Sequence, residues 1–386
     1  MENKFNLTSE QQILRETVRR FAEEEIKPNV RELDEKEEFS YELTAKMAEM
    51  GFLGCFIPEE YGGSNLDYLS YIIIVEEITR VDSSQGATVA AHNSLGIGPI
   101  YYFGNEEQKR KYLPKLASGY LWGFGLTEPE AGSDAGNTKT TAVKSGDKWI
   151  INGTKIFITN ASTDVTLGST ILAVTGTLPN GKKEYTCFLV ENGTRGFTAR
   201  PMKHKMMWRA SNTSELILED VEVPEENILG KRGDGFKQML KTLDNGRLSI
   251  AAMGLGLAQG AFEYALNYAK TRKTFGQPIS THQAIAFKLA DMQMQIDLAR
   301  TYLYNVCRML DNGQKITMES AIAKLYCSEV AHSCANHCVQ ILGGYGLMKE
   351  YDAERFYRDQ KILEIGEGTS EIQRLVIARS IGCFDI

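Results

Sequence analysis

The hydrophobic period of this chain changes twice along its length. Up to about residue 121 apolar residues recur at helical spacing, from Trp122 to about residue 230 they alternate in short runs, and from about residue 231 the helical spacing returns in longer stretches. A chain of 386 residues is too long for one ordinary core. Two changes of period therefore predict an α+β multidomain protein: an N-terminal helical domain at 1–121, a middle antiparallel β-domain at 122–230 and a C-terminal four-helix bundle at 231–386.

Local signals set the elements within this frame. Thr8 or Ser9 caps a first helix with a stripe of Leu14, Val18, Phe21, Ala22 and Ile26, and Pro28 predicts its end. "SYELTAKMAEMGFLG" reads as an amphipathic helix closed by Gly51, whereas "YLSYIIIVEEITRVD" is apolar on most sides and predicts a buried helix. In the middle part, "KWIINGTKIFITNA", "STILAVTG", "YTCFLVEN", "GFTARPM" and "SELILEDVEV" are separated by Gly, Asn, Asp and Pro and read as strands of an antiparallel sheet or small barrel. The last part predicts four helices of about twenty residues or more, joined by short loops.

Composition excludes several classes of function. A net charge of -7, with no basic cluster longer than "KRK" at Lys109–Lys111, argues against nucleic acid. No apolar run approaches the roughly twenty residues that span a bilayer. The N-terminus carries no signal or transit pattern, and seven cysteines scattered singly fit a reducing compartment, so the expectation is cytoplasmic. The five histidines form no metal-ligand pattern, and no metal is expected. No dinucleotide fingerprint, phosphate-binding loop or serine-hydrolase elbow is present; "GLGLAQG" lies inside a predicted helix, where small residues serve close packing.

Chemistry is carried instead by several short stretches. In "EIGEGTSEIQ" the carboxylate of Glu367 stands between Gly366 and Gly368 and is followed by Thr369 and Ser370. The hydroxyls read as a helix N-cap. The flanking glycines suggest close approach of a ligand to the backbone. "FGLTEPEAGSDAG", "IFITN", "DNGR", "RKTFGQPISTHQ" and "QILGGYG" complete the set, and their order and separation make the pattern specific.

This set resembles the acyl-CoA dehydrogenase family from the first helix to about residue 382. The resemblance implies a helical domain, a β-domain and a four-helix bundle, a homotetramer, and FAD held between the sheet of one subunit and the bundle of a neighbour. It implies that Glu367 is the catalytic base, taking the α-proton of an acyl-CoA thioester while a β-hydrogen leaves as hydride to the flavin. A carboxylate buried by substrate and apolar walls gains the proton affinity this task needs. The backbone N–H of Glu367, with a ribityl hydroxyl, would then stabilise the developing enolate oxygen.

Further roles follow from the same resemblance. Phe124, Leu126, Thr127, Gly132 and Ser133 match the flavin loop, with Ser133 also near the CoA arm; Phe157, Ile158 and Thr159 match the strand against the isoalloxazine, with Phe157 in place of the usual tryptophan. Arg272 and Gln283 match residues that reach a neighbour's FAD, Gln340, Ile341, Leu342, Gly343 and Gly344 match its adenosine-diphosphate site, and Thr369, Ser370 and Glu371 lie at a helix N-terminus suited to phosphate or hydroxyl. Asp244, Asn245, Gly246 and Arg247 match the substrate-contacting segment, with Gly368 beside them. Some relatives carry the base at the position of Gly246, so this glycine leaves Glu367 without a competitor and is expected to leave room for the acyl group. Gly366 stands where tyrosine is common, and Met207 where glycine is common. The implied reaction is α,β-dehydrogenation of a short, branched or alicyclic acyl-CoA, with electrons passed to electron-transfer flavoprotein. The alternatives are an acyl-CoA oxidase and a non-catalytic flavoprotein scaffold.

Overall fold

A computed structural model describes residues 4–384. The N-terminal part holds α1 (Ser9–Phe21), α2 (Val30–Lys36), α3 (Tyr41–Glu49), α4 (Tyr68–Val81), α5 (Ser83–Ala91), α6 (Gly98–Phe103) and α7 (Glu106–Ala117). Thr8 caps α1 in a reciprocal box: its hydroxyl accepts from Gln11 N at 3.2 Å, and Gln11 Oε1 accepts from Thr8 N at 3.0 Å. Pro28 does not stop the chain as its position predicts. A wide π-turn (Ala22–Ile26) and a 3₁₀ turn (Lys27–Asn29) change the hydrogen-bond ladder ahead of it, so the missing N–H is tolerated and helix resumes in α2.

All residues of α4 are buried, as its all-round apolar character predicts. Each fully buried Ile72, Ile73, Ile74 or Ile78 side chain contributes roughly 1.5–3 kcal/mol. The helix also buries Glu76, Glu77 and Arg80. Their partners come from α1 and from the C-terminal helices: Arg15 Nε donates to Glu77 at 2.8 Å, and Arg300 Nη2 and Tyr304 Oη donate to Glu76 at 2.8 and 2.7 Å.

The middle part is a seven-stranded sheet of β1 (Leu121–Gly125), β2 (Thr141–Ser145), β3 (Lys148–Thr159), β4 (Thr166–Thr177), β5 (Lys183–Glu191), β6 (Phe197–Pro201) and β7 (Thr213–Pro224). The antiparallel expectation holds for β2–β3, β3–β7, β4–β5 and β6–β7; β1 and β2 both run parallel to β4, so the sheet is mixed. Parallel pairing joins strands distant in sequence, which alternation along one strand does not reveal.

The C-terminal part contains α8 (Gly235–Thr271), a two-stranded ribbon of β8 (Lys273–Thr274) and β9 (Gln277–Pro278), α9 (Gln283–Asp311), α10 (Thr317–Leu342), α11 (Ala353–Asp359) and α12 (Ser370–Ser380). Three of these are long; the fourth expected long helix is instead the 11-residue α12, preceded by turns and the short α11. Gly343 and Gly368, at φ +61° and +95°, end α10 and delay α12. Helices α4, α8, α9 and α10 share one apolar core. Among the described residues no helix is long and apolar enough to cross a membrane.

Candidate active site

The carboxylate of Glu367 is the centre of the site, and its backbone is under strain. Glu367 has φ +51° and Gly368 φ +95°, two successive left-handed residues ahead of α12. For a side chain larger than glycine this conformation costs about 1–2 kcal/mol. Thr369 is the N-cap of α12, its hydroxyl accepting from Ile372 N at 3.3 Å, which resolves the choice between the two hydroxyls. Buried partners restrain the strained turn: Lys324 Nζ and Gln373 Nε2 each donate to the Gly368 carbonyl at 2.8 Å, and Gln373 Nε2 reaches the Glu367 carbonyl at 3.3 Å. Residues held in such conformations gather at functional sites.

The two flanking glycines serve different ends. Gly368 needs its left-handed backbone, and a Cβ there would lie 2.8 Å from Gln373 Nε2. Gly366 needs neither: a Cβ would meet only Ile362, at 3.4 Å and beyond.

Glu367 is half-exposed as a residue, yet its Oε2 is sealed from solvent and has no hydrogen-bond partner. Burial pushes its pKa up to about 7, with Lys324 and then Arg247 acting in the opposite direction. The space for the carboxylate comes from Gly246, in the middle of α8. A Cβ at Gly246 would stand 2.2 Å from Glu367 Oε2 and 3.4 Å from Leu95 Cδ2. This corrects the expectation that Gly246 opens the acyl cavity: the room it leaves is filled by the carboxylate. Beside it, Arg247 Nη1 donates to Asp244 at 2.7 Å, Asp244 accepts from Thr317 Oγ1 at 3.1 Å, and the Asn245 carbonyl accepts from Tyr68 Oη at 2.8 Å. Tyr68, Tyr71 and Tyr102 with Phe56 form an aromatic cluster in this region.

The sheet edge places the expected flavin loop as follows. Phe124 and Leu126 are buried, Thr127 is half-buried, and Gly132 and Ser133 are exposed, with no atom within 4 Å of a Cβ built at Gly132. The loop is organised by a group that motif reading missed. Glu128 is buried and accepts from Lys155 Nζ at 2.6 Å, Lys139 N at 2.6 Å and Thr140 N at 3.1 Å. On β3, Phe157 has φ +62° at an irregularity in the β3–β7 register and turns its ring outward, 62% exposed. Ile158 points into the sheet core and Thr159 is half-buried. Downstream, Met207 packs on the helical core and Trp208, at φ +45°, donates its N–H to Asp359 at 2.9 Å, so a buried acid holds the loop where glycine was expected.

A second region forms at the end of the bundle. Arg272 and residues Ile341, Leu342, Gly343 and Gly344 line one open groove of about 750 Å³, with Tyr345 beneath the Arg272 guanidinium at 5.6 Å. The side chains of Ile341 and Leu342 are core; Gln340 and Gln283 are exposed, outside the groove lining. Ser370 opens α12 and Glu371 is exposed in its first turn. Among the described residues no cluster of potential ligands suits a metal ion.

A helical domain, a sheet and a helical bundle, with a strained glutamate of the bundle facing the N-terminal helices, define one class. The chain matches "Acyl-CoA dehydrogenase, N-terminal domain" over residues 8–120, "Acyl-CoA dehydrogenase, middle domain" over 123–221 and "Acyl-CoA dehydrogenase, C-terminal domain" over 233–382, and it belongs to the acyl-CoA dehydrogenase family. It is 52% identical over 378 residues to the probable acyl-CoA dehydrogenase YngJ of Bacillus subtilis, covering 98% of this chain and 99% of that protein. Its fold is similar to butyryl-CoA dehydrogenase from Megasphaera elsdenii, with a TM-score of 0.94 and 42% identity over 98% of this chain and 99% of the other. A glutaryl-CoA dehydrogenase from Mycobacterium smegmatis in complex with FADH2 aligns with a TM-score of 0.93 and 31% identity over 99% and 97% of the two chains.

Proposed function

We propose that this protein is an FAD-dependent acyl-CoA dehydrogenase that forms the 2-enoyl thioester of a short acyl group and passes its electrons to an electron-transfer flavoprotein. The observation that carries the reading is Glu367 Oε2, sealed without a partner in space vacated by Gly246. An unpaired buried carboxylate is costly to folding, and a base near neutrality is what proton abstraction requires. Glu367 takes the proton from the α-carbon at its carboxylate oxygen, and its N–H is the candidate donor to the thioester oxygen. The aromatic side chains of Tyr68, Tyr71 and Phe56 limit the apolar volume beside it and exclude water, which favours short acyl groups.

The residues present fit FAD. Phe157 offers an exposed aromatic face beside a loop with open space at Gly132, and the groove at Arg272 has no Cβ at Gly343 or Gly344 to obstruct a phosphate chain. Held by these residues, FAD would supply the acceptor for the hydride that leaves the β-carbon. The apolar surface near that groove, with Phe275 95% exposed and Leu347 73% exposed, suits burial against another copy in a homotetramer.

The test is anaerobic flavin bleaching against linear thioesters from propionyl to octanoyl and against isobutyryl, isovaleryl, glutaryl and cyclohexane-carboxyl thioesters. Fast bleaching by butyryl-CoA is expected. Bleaching by long chains alone overturns the substrate class, and no bleaching by any thioester overturns the activity.

A further inference from the structure

Lys324 is 0% exposed in the middle of α10, and its ammonium donates to the Gly368 carbonyl rather than to a carboxylate. Placing an ammonium there costs it most of its hydration. Holding the carbonyl does not require that charge, since the neutral Gln373 amide reaches the same oxygen at the same 2.8 Å. The charge therefore has a second use, and its surroundings show what that is. The groups that act on Lys324 are Glu367 first, then Arg247, Glu364 and Glu371. Glu364 is already engaged by Lys361 and by His332, Arg247 by Asp244, and Glu371 is exposed. The Glu367 carboxylate, with its sealed Oε2, remains.

We infer that Lys324 is a positioning residue of the reaction proposed above: it clamps the Gly368 carbonyl, and with it the left-handed turn that aims Glu367, while keeping a positive charge in the pocket of the base. The inference rests on Glu367 being that base. Burial favours the neutral acid, which has no capacity to accept a proton; the nearby ammonium restores part of the ionised, working form. Burial also pulls Lys324 itself down to about 8, so its proton is held through the neutral range and released just above it.

The experiment compares the holoenzyme with Lys324→Met and Lys324→Gln, measuring anaerobic flavin reduction by butyryl-CoA across the neutral pH range. Lys324→Met removes the donor and the charge. It is expected to lower the limiting rate about tenfold or more and to move the acid limb of the rate profile upward by about one pH unit. Lys324→Gln keeps a donor without charge, and is expected to recover part of the rate while the limb stays displaced. Binding of a non-reactive thioether analogue of butyryl-CoA should remain unchanged in both. An acid limb at its original pH in both variants overturns the inference. If Lys324→Met fails to retain FAD, the limb in Lys324→Gln decides alone. Full activity in Glu367→Gln would overturn the assignment of the base itself; an inactive Glu367→Gln with an unmoved limb in Lys324→Gln overturns only the role of Lys324.

Discussion

Glu76 is fully buried and Glu367 has one carboxylate oxygen sealed from water, and the two have opposite surroundings. Glu76 accepts from Arg300 at 3.0 and 2.8 Å and from Tyr304 at 2.7 Å. Burial disfavours its charge, but Arg300, then Arg15 and Tyr304, outweigh that and hold its pKa below the ordinary carboxylate value. Glu367 Oε2 accepts nothing, its helpers act from a distance, and burial wins. The pair teaches that burial alone does not set the direction of a carboxylate's shift; the partners it finds decide whether it is held ionised, as Glu76 is, or pushed toward the neutral acid, as Glu367 is.

The comparison breaks most sharply at the rate. Glu367→Gln keeps the shape of the side chain and removes its basicity, so flavin reduction by butyryl-CoA should fall by about 10³-fold or more with FAD retained, as stopped-flow absorbance would report. At the other carboxylate, Glu76→Ala strands Arg300 without its partner and should destabilise the fold by about 3–5 kcal/mol, read from denaturation of the holoenzyme. Gly246→Ala sharpens the contrast. An alanine suits the interior of α8 and should not lower the melting temperature, yet its Cβ displaces the Glu367 carboxylate, for an expected loss of about 10–100-fold in the reduction rate.

Smaller effects follow from pH. The raised pKa of Glu367 gives stability that is fully present below the unfolded value of 4.5 and lost as pH rises through about 7. Glu76, with its lowered pKa, contributes stability above 4.5 that is lost on acidification. Relative to the parent, Glu367→Gln should therefore gain in melting temperature as pH rises from 4.5 to 7, while the deficit of Glu76→Gln should shrink in acid. The smallest change is expected at Gly366→Ala, where ordinary contact with Ile362 predicts stability within about 0.5 kcal/mol of the parent by the same melts.

Periodicity made the order of helices, sheet and helices legible, because each period reports which face of a local element is buried. The burial of α4 was legible because an apolar surface all round has one physical outcome; Arg272 and Ile341–Gly344 were set together only by the family resemblance, and Gln283 and Gln340, expected with them, stand outside the groove lining. Other features depend on partners far away in sequence. Gly246 reads as empty space, and only folding shows that Glu367, on another element, fills it. Lys324 looks like any lysine in a helix until the Gly368 carbonyl arrives above it. The parallel pairs of β4 and the tolerance of Pro28 arise in the same way, from arrangements that local propensity does not encode.

The engagement of Glu76 with Arg300 also has a temporal side. Helix α4 is wrapped by elements that lie later in the chain, and Arg300 is 224 residues beyond Glu76. At about 5–20 residues per second, a ribosome delivers that arginine roughly 11–45 s after the glutamate. During that interval α4 lacks the later helices that cover its isoleucines, and Glu76 has Arg15 nearby but not the arginine that donates to it twice. Apolar surface exposed in this way is aggregation-prone, so the wait for α8, α9 and α10 is the interval in which a holding chaperone would act on this chain.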